Sequence, residues 1–134
     1  MNNLTFNKIK ETAIYVKDLA KTKNFYHHKL GLPIKSEVAG RHIFFTAGSS
    51  ILLCFLEGST DNNDGPIPPH WGKGELHFAF ESSYADYDKW KKKIQELGIE
   101  IEKEMEWRRG LKSFYFRDPD GHSLEIVMDG IWDY

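Results

Sequence analysis

The spacing of hydrophobic residues changes along the chain between that of a strand and that of a helix. In "KETAIYVKD" (residues 10–18) apolar and polar residues alternate singly, which predicts a half-buried strand. The next apolar residues recur at helical spacing until Gly31 and Pro33 end the helix. Three more strand-like runs follow, "PIKSEV", "HIFFTA" and "SILLCFLE". This part of the chain therefore predicts the order β-α-β-β-β.

The same order returns in the second half. "ELHFAFE" reads as a strand, Tyr84 to Leu97 as an amphipathic helix, and "GIEIEKEMEW", "LKSFYFRD" and "HSLEIVM" as three strands. Gly31 and Gly98 match each other, because each ends a helix and begins a strand in the similar segments "KLGLPIK" and "ELGIEIE". One module alone cannot cover both faces of its sheet, so a second copy of the module supplies the missing cover.

The boundaries follow from this repeat within one predicted domain, residues 1–134. The first module spans residues 8–57 and the second spans residues 75–128. Residues 58–74, "GSTDNNDGPIPPHWGKG", are rich in Gly, Pro, Asn and Asp, which indicates a linker or a loop over a site. Residues 129–134 form a tail.

Composition narrows the class of protein. The chain has 134 residues, 40% of them hydrophobic and 28% charged, which is typical of a globular domain. A net charge of -2 gives no general attraction to nucleic acid, and the longest apolar run is too short to span a membrane. The single cysteine cannot form an internal disulfide, so a cytoplasmic location is expected.

Strand alternation sends three polar side chains to one face. Leu124, Ile126 and Met128 point to one side of their strand, so Glu125 points to the other. The same parity separates His77 from the apolar residues of "ELHFAFE" and Glu11 from those of "ETAIYVKD". If the apolar sets pack on the helices, the three side chains face a common trough.

The chain resembles the vicinal oxygen chelate superfamily, which includes glyoxalase I, bleomycin-resistance proteins, fosfomycin-resistance thiol transferases and extradiol dioxygenases. The resemblance covers residues 8–128 and is carried by "YVKDLAKTKNFYHHKLGL" and "FYFRDPDGHSLEIV". It implies an α+β fold in which two βαβββ modules form a curved, mixed eight-stranded sheet. It also implies helices on the convex side, a metal or ligand site in the concave trough, and a homodimer.

The resemblance implies a metal site at Glu11, His77 and Glu125. Such donors suit Fe, Mn, Ni, Co or Zn as the divalent ion. In glyoxalase I a fourth ligand comes from the last strand of the first module; we expect Leu52 at that place here, so open positions are expected. The alternative is that the carboxylates pair with Arg117 or Lys112 and that His77 is a core histidine.

Substrate contacts are expected beside these ligands. Ser113, Tyr115 and Arg117 alternate onto one face of their strand, and the resemblance to the fosfomycin enzymes gives Tyr115 a substrate contact. The adjoining Trp107, Arg108 and Arg109 are either an aromatic wall with an anion clamp or a solvated turn. 

Two further residues have open roles. His70 either contacts ligand from the loop or is an exposed loop histidine, and Cys54 either lines the trough or is a buried, inert thiol.

The implied chemistry is binding of a small substrate through two neighbouring oxygens, with Glu11 or Glu125 as base. Isomerase or lyase, thiol transferase and dioxygenase reactions all fit this arrangement. The alternative from another class is a binding protein of the bleomycin-resistance kind, which sequesters a small molecule without chemistry. A third is a structural module with no ligand.

Overall fold

The computed structural model describes residues 3–134, and its contacts divide it into two compact units that meet between Lys73 and Gly74. The first unit contains β1 (Glu11–Val16), α1 (Leu19–Lys23), a π-helical segment (Asn24–Lys29), β2 (Ile34–Val38), β3 (His42–Ala47) and β4 (Ser50–Leu56). The second contains β5 (His77–Ser82), α2 (Tyr84–Glu96), β6 (Lys103–Glu106), β7 (Lys112–Arg117) and β8 (Ser123–Met128). The predicted βαβββ order is present in each unit.

The two sheets repeat one topology. The first has the strand order β1-β4-β3-β2 and the second has β5-β8-β7-β6. In each, the first strand of the module lies at one edge and pairs in parallel with the last strand, while the other neighbours are antiparallel. The predicted α+β class with mixed sheets is therefore confirmed.

Local chemistry explains where the helices begin and end. Asp18 caps α1 by accepting from the N–H of Lys21 at 3.1 Å, and Ser83 caps α2 by accepting from the N–H of Asp86. Gly31 and Gly98 follow the helices with φ values of 82° and 74°, which only glycine adopts at little cost. The matching glycines of the sequence thus mark matching helix ends.

Two elements differ from the sequence prediction. The first helix changes from α to π geometry at Asn24, which the apolar spacing did not reveal. Strand β6 begins only at Lys103, because its ladder with β7 starts where Lys103 lies opposite Tyr115. Residues 99–102 lie before that ladder and are irregular.

Each unit has an apolar core on the helix side of its sheet. In the second unit Phe114, Phe116 and Leu124 are fully buried, and Phe114 packs edge-on against Tyr87 of α2. Tyr87 donates to Glu104 at 2.7 Å, and burial together with this carboxylate raises the pKa of Tyr87. Among residues 3–134, no helix is long and apolar enough to cross a membrane.

Candidate metal and substrate site

His77 and Glu125 meet on the face of the second sheet that points away from α2, which we call its open face. Because β5 and β8 run in parallel, His77 lies opposite Ser123 and Ala79 lies opposite Glu125. His77 Nε2 is 3.4 Å from Glu125 Oε1. The Glu125 side chain is only 12% exposed, so a largely buried carboxylate faces an imidazole nitrogen.

The other nitrogen of His77 fixes the tautomer. His77 Nδ1 lies 2.9 Å from the carbonyl oxygen of Ser123, which can only accept, so Nδ1 carries the hydrogen. Nε2 is then the ring nitrogen that faces Glu125. A backbone carbonyl that holds the second nitrogen is the usual support of a metal-binding histidine.

The donor pair fits a divalent metal. An imidazole nitrogen and a carboxylate oxygen both bind such ions at about 2.0–2.2 Å, so two ligands of one ion lie about 3 to 3.5 Å apart. The separation of 3.4 Å between Nε2 and Oε1 is within that range. The charge of a cation would also offset the cost of burying the Glu125 carboxylate.

Tyr115 connects the pair to a chain of hydrogen bonds. It lies opposite Glu125 in the β7–β8 ladder and donates its phenolic hydrogen to that carboxylate. Ser113 donates to the phenol, and Trp107 Nε1 donates to Ser113 Oγ at 2.9 Å. Burial raises the pKa of Tyr115, with Glu125 adding to the rise, so the phenol stays protonated and remains a donor.

Glu11 belongs to the first unit, where it begins β1. Its side chain is exposed and shares the open face of that sheet with Ala13 and Tyr15, while Ile14 and Val16 are buried on the other face. Among residues 3–134, no group of three or more His, Cys, Asp or Glu side chains is arranged to hold a metal ion. The role of Glu11 as a third ligand therefore stays a prediction.

The assignment of Leu52 to the fourth-ligand position is wrong. In the second sheet Ala79 lies opposite Glu125, and in the first the equivalent Ala13 lies opposite Leu53. Leu52 instead pairs with Thr12 and is buried on the helix side of the sheet. The position is apolar in either case.

Cys54 shares the buried face of β4 with Leu52 and is fully buried, so it does not line the open face. His122 is also fully buried, and its Nδ1 accepts from the N–H of Leu76 at 2.9 Å. Both residues are structural parts of a core.

Arg117 and Arg109, which are expected to contact substrate, both bind other groups of the protein. Arg117 forms an ion pair with Glu102 at 2.7 Å and a longer one with Glu75 at 3.6 Å, and neither Glu125 nor Lys112 takes part. Arg109 adopts a φ of 57°, which is uncommon for a residue with a side chain. Its Nη2 donates to the carbonyl oxygens of Gly130 at 2.8 Å and Asp133 at 3.0 Å. Arg109 thus ties down residues 129–134.

A cavity of about 560 Å³ opens beside Glu125, between β7, β8 and the segment 129–134. We call it the tail cavity; its lining residues are Ala79, Glu106, Trp107, Arg108, Tyr115, Glu125, Val127, Ile131, Trp132 and Tyr134. The predicted aromatic wall at Trp107 lies here. The contacts that bring the tail to this place have no signal in the sequence, because no periodicity connects the tail to the strands.

The first unit has its own polar cluster, which sequence reasoning missed. Tyr15 OH and His70 Nδ1 are 2.8 Å apart, and His70 packs edge-on against Phe55 with ring centres 4.7 Å apart. Thr60 accepts from the N–H of His70 at 2.9 Å and donates through Oγ1 to its carbonyl oxygen. The loop therefore returns to the open face of the first sheet. The sequence signals were the loop predicted for residues 58–74 and His70 within it; the contact with Tyr15 came from the fold.

Gly72 allows this loop to approach Tyr15. A Cβ at position 72 would lie 2.8 Å from two ring carbons of Tyr15, closer than real contacts allow. We expect Gly72→Ala to lower the free energy of unfolding by about 1–3 kcal/mol, because the ring or the loop must move. Gly65→Ala is the matched control, since position 65 has no atom within 4 Å of such a Cβ. Urea denaturation measures both; equal stability of the two variants would contradict the close contact.

Comparison with known proteins adds a family and several relatives. The family model described as Glyoxalase/Bleomycin resistance protein/Dioxygenase superfamily matches residues 8–126. A glutathione transferase FosA from Serratia marcescens is 29% identical, over 89% of this chain and 79% of the relative. A metallothiol transferase FosB from Lysinibacillus sphaericus is 30% identical, over 97% and 88%.

One solved structure is similar over its whole length. It is a lactoylglutathione lyase from Agrobacterium tumefaciens, 34% identical, with a TM-score of 0.89 over 96% of this chain and 98% of that one. All three names denote enzymes, and one of them denotes a metal-dependent enzyme. These relatives support the prediction of a glyoxalase-like enzyme with transferase or lyase chemistry.

Proposed function

The chain belongs to the glyoxalase/bleomycin resistance protein/dioxygenase superfamily, and we propose that it joins a thiol to a small substrate that carries two neighbouring oxygens. The proposed divalent metal ligands are Glu11, His77 and Glu125. The observation that carries the proposal is the His77–Glu125 pair at 3.4 Å, with Nδ1 of His77 held by a backbone carbonyl.

The predicted ions, Fe, Mn, Ni, Co and Zn, all accept this donor set. When bound, such an ion supplies a Lewis acid for the two neighbouring substrate oxygens. His77 and Glu125 hold it at the open face of the second sheet. The mostly buried position of Glu125 keeps water away from one side of that place.

Tyr115 is the proposed hydrogen-bond donor to the substrate; its single phenolic hydrogen would turn from Glu125 to the substrate oxygen when that carboxylate binds the metal. Its raised pKa keeps the phenol protonated, and Ser113 and Trp107 fix the ring position through their chain of hydrogen bonds. In the reaction the thiol sulfur forms a bond to an electrophilic carbon while the bond from that carbon to one oxygen breaks. The thiol proton ends on the released oxygen, which Tyr115 stabilises as its negative charge develops.

Leu53, the apolar residue of the first sheet at the place equivalent to Glu125, favours thiol addition. The resemblance to glyoxalase I implies a carboxylate there as a further ligand, whereas this chain has Leu53, opposite Ala13. A hydrocarbon side chain can neither bind a metal nor accept a proton. Thiol addition needs no such extra carboxylate, because the thiol supplies the proton.

A second candidate is isomerisation of a thiol adduct. It is favoured by the similarity to the lactoylglutathione lyase, at 34% identity and a TM-score of 0.89. In that reaction Glu11 or Glu125 would act as the base.

Two assays on metal-loaded protein separate these functions. In the first, glutathione is mixed with glycidol, an oxirane beside a hydroxyl, and the free thiol is titrated over time. In the second, the hemithioacetal of glutathione and phenylglyoxal is followed by ultraviolet absorbance. We expect metal-dependent loss of thiol in the first, reduced about 100- to 1,000-fold in Tyr115→Phe. Turnover of the hemithioacetal without thiol loss from glycidol would favour the isomerase instead.

We also propose that the protein is a homodimer in the cytoplasm. The side chains of Leu4, Phe6 and Ile9 are 85%, 99% and 80% exposed. Covering them with a second copy would remove a large apolar surface from water. Sedimentation of the full chain measures this association directly.

A further inference from the structure

The tail cavity has aromatic walls that face open space. Trp107, Trp132 and Tyr134 are 45%, 80% and 76% exposed, and all three line the same cavity together with Tyr115. Single exposed aromatic residues are ordinary on a protein surface, but several around one cavity mark a binding site. Glu125 lies in the wall of this cavity as well.

These aromatic side chains are held in place although they are exposed. Trp107 is fixed by its hydrogen bond to Ser113, and Tyr134 lies under the guanidinium of Arg108, whose central carbon is 3.4 Å from the ring centre. Trp132 stacks beside Tyr134 at an angle of 26°. Walls that are ordered before a ligand arrives cost less entropy when it binds.

Arg109 provides a further restraint at the base of the tail. Its two hydrogen bonds to the carbonyl oxygens of Gly130 and Asp133 bracket Trp132 in the chain. The N–H of Asp133 also donates to the carbonyl oxygen of Gly130 at 3.0 Å, which closes a turn. The turn thus presents Trp132 to the cavity.

Size and charge define the ligand group that fits. A volume of about 560 Å³ lies in the usual range for small-molecule sites and far exceeds what a three-carbon oxirane fills. Three charged residues belong to the lining: Glu125 faces His77, Arg108 covers Tyr134, and Glu106 is exposed at the end of β6. The remaining surface is mainly aromatic and aliphatic, which suits an uncharged flat ring stacked between aromatic faces.

We propose that the tail cavity binds an aromatic ring of the substrate, attached to the two neighbouring oxygens, and that Trp132 and Tyr134 select aromatic over aliphatic substrates. This inference rests on the proposed function, because His77 and Glu125 position the oxygens at the mouth of the cavity.

The test compares two hydroxamates that differ in one group. Benzohydroxamate and acetohydroxamate present the same pair of neighbouring oxygens to a metal, but only the first carries a ring. Calorimetry on Mn²⁺-loaded full chain measures both dissociation constants. We expect benzohydroxamate to bind at least about 10-fold more tightly, which corresponds to about 1.4 kcal/mol.

Substitutions in the tail then assign the preference. In Trp132→Ala and Tyr134→Ala the preference is expected to fall below about 3-fold while acetohydroxamate binding is unchanged. Both side chains are largely exposed, so folding is expected to survive, which circular dichroism verifies. Tyr84→Ala removes an aromatic side chain that is 69% exposed on α2, outside the cavity, and is expected to keep the full preference.

A metal-free titration separates this inference from the proposed function. Benzyl alcohol carries a ring but no pair of neighbouring oxygens, and its binding to metal-free protein, lost in Tyr134→Ala, would support the cavity even if no metal bound. Equal affinity for the two hydroxamates would overturn the cavity and leave the metal site intact. If a second copy of the chain fills the cavity instead, the unsubstituted chain will show no preference for benzohydroxamate. Trp132→Ala will then sediment as a smaller species than the unsubstituted chain, and this result would also overturn the proposal.

Discussion

Replacing His77 by alanine is expected to lower metal affinity by more than about 100-fold. Loss of a residue that only supports a ligand already costs about 10- to 100-fold, and His77 would be a ligand itself. The substitution removes Nε2, which lies 3.4 Å from Glu125, and leaves a carboxylate with a 12% exposed side chain without its imidazole partner. Catalysis that depends on the metal should fall in proportion.

Elemental analysis of protein purified without added metal or chelator measures this effect. The unsubstituted chain is expected to contain nearly one equivalent of a divalent metal, and His77→Ala, Glu125→Gln and Glu11→Gln to contain little. Glu96→Gln is the matched control, because this carboxylate is exposed on α2 and only loosely paired with Lys92 at 3.9 Å. Metal retained in Glu11→Gln alone would remove Glu11 from the ligand set; metal retained in all three would refute the site.

Strand parity in the second module was predictable from the sequence. In β8 a single alternation separates buried Leu124 and Ile126 from Glu125, and the observed ladder keeps that parity across β7 and β5. Alternation survives because one face must be buried, so a slip of one residue would expose the whole apolar set. The face of Tyr115 and Ser113 followed from the same rule.

The fourth-ligand position was misplaced by one residue. In "ILLCFL" every residue is hydrophobic, so periodicity does not separate Leu52 from Leu53, although "SSILLCF" laid on "GHSLEIV" pairs Leu53 with Glu125. The register with β1 decides it, since Ala13 lies opposite Leu53. A pairing between distant strands is a tertiary fact that local spacing does not contain.

Loop and tail contacts were also beyond local patterns. His70 reaches Tyr15 across 55 positions, and Arg109 reaches Asp133 across 24. Neither segment has a period, because irregular backbone is positioned by individual hydrogen bonds rather than by a repeated apolar face. The sequence could suggest an aromatic wall at Trp107, but the hydrogen bonds of Arg109 that position the tail emerged only from the fold.

Phe114→Ala is expected to produce the largest loss of stability. Phe114 is fully buried, lies opposite Ile126 in the β7–β8 ladder, and packs edge-on against Tyr87 with ring centres 5.4 Å apart. Removing a buried phenylalanine ring costs about 3–5 kcal/mol, because transfer energy is lost and a cavity remains. The free energy of unfolding of a small domain is only about 5–15 kcal/mol, so this substitution removes a large part of it.

Phe114→Ala is also expected to disturb the candidate site, because Phe114 and Tyr115 share the backbone of β7. Phe114 and Tyr115 are neighbours on opposite faces, so a core that no longer fixes one cannot hold the other against Glu125. Urea denaturation should show a lower midpoint at an unchanged slope, and metal affinity should weaken with temperature before global unfolding. Phe80→Ala is the matched control, since Phe80 is only half-buried beside Phe78, and a smaller loss is expected. Equal losses in both variants would mean that the ring of Phe114 has no special place in the core, and that the order of Tyr115 has another origin.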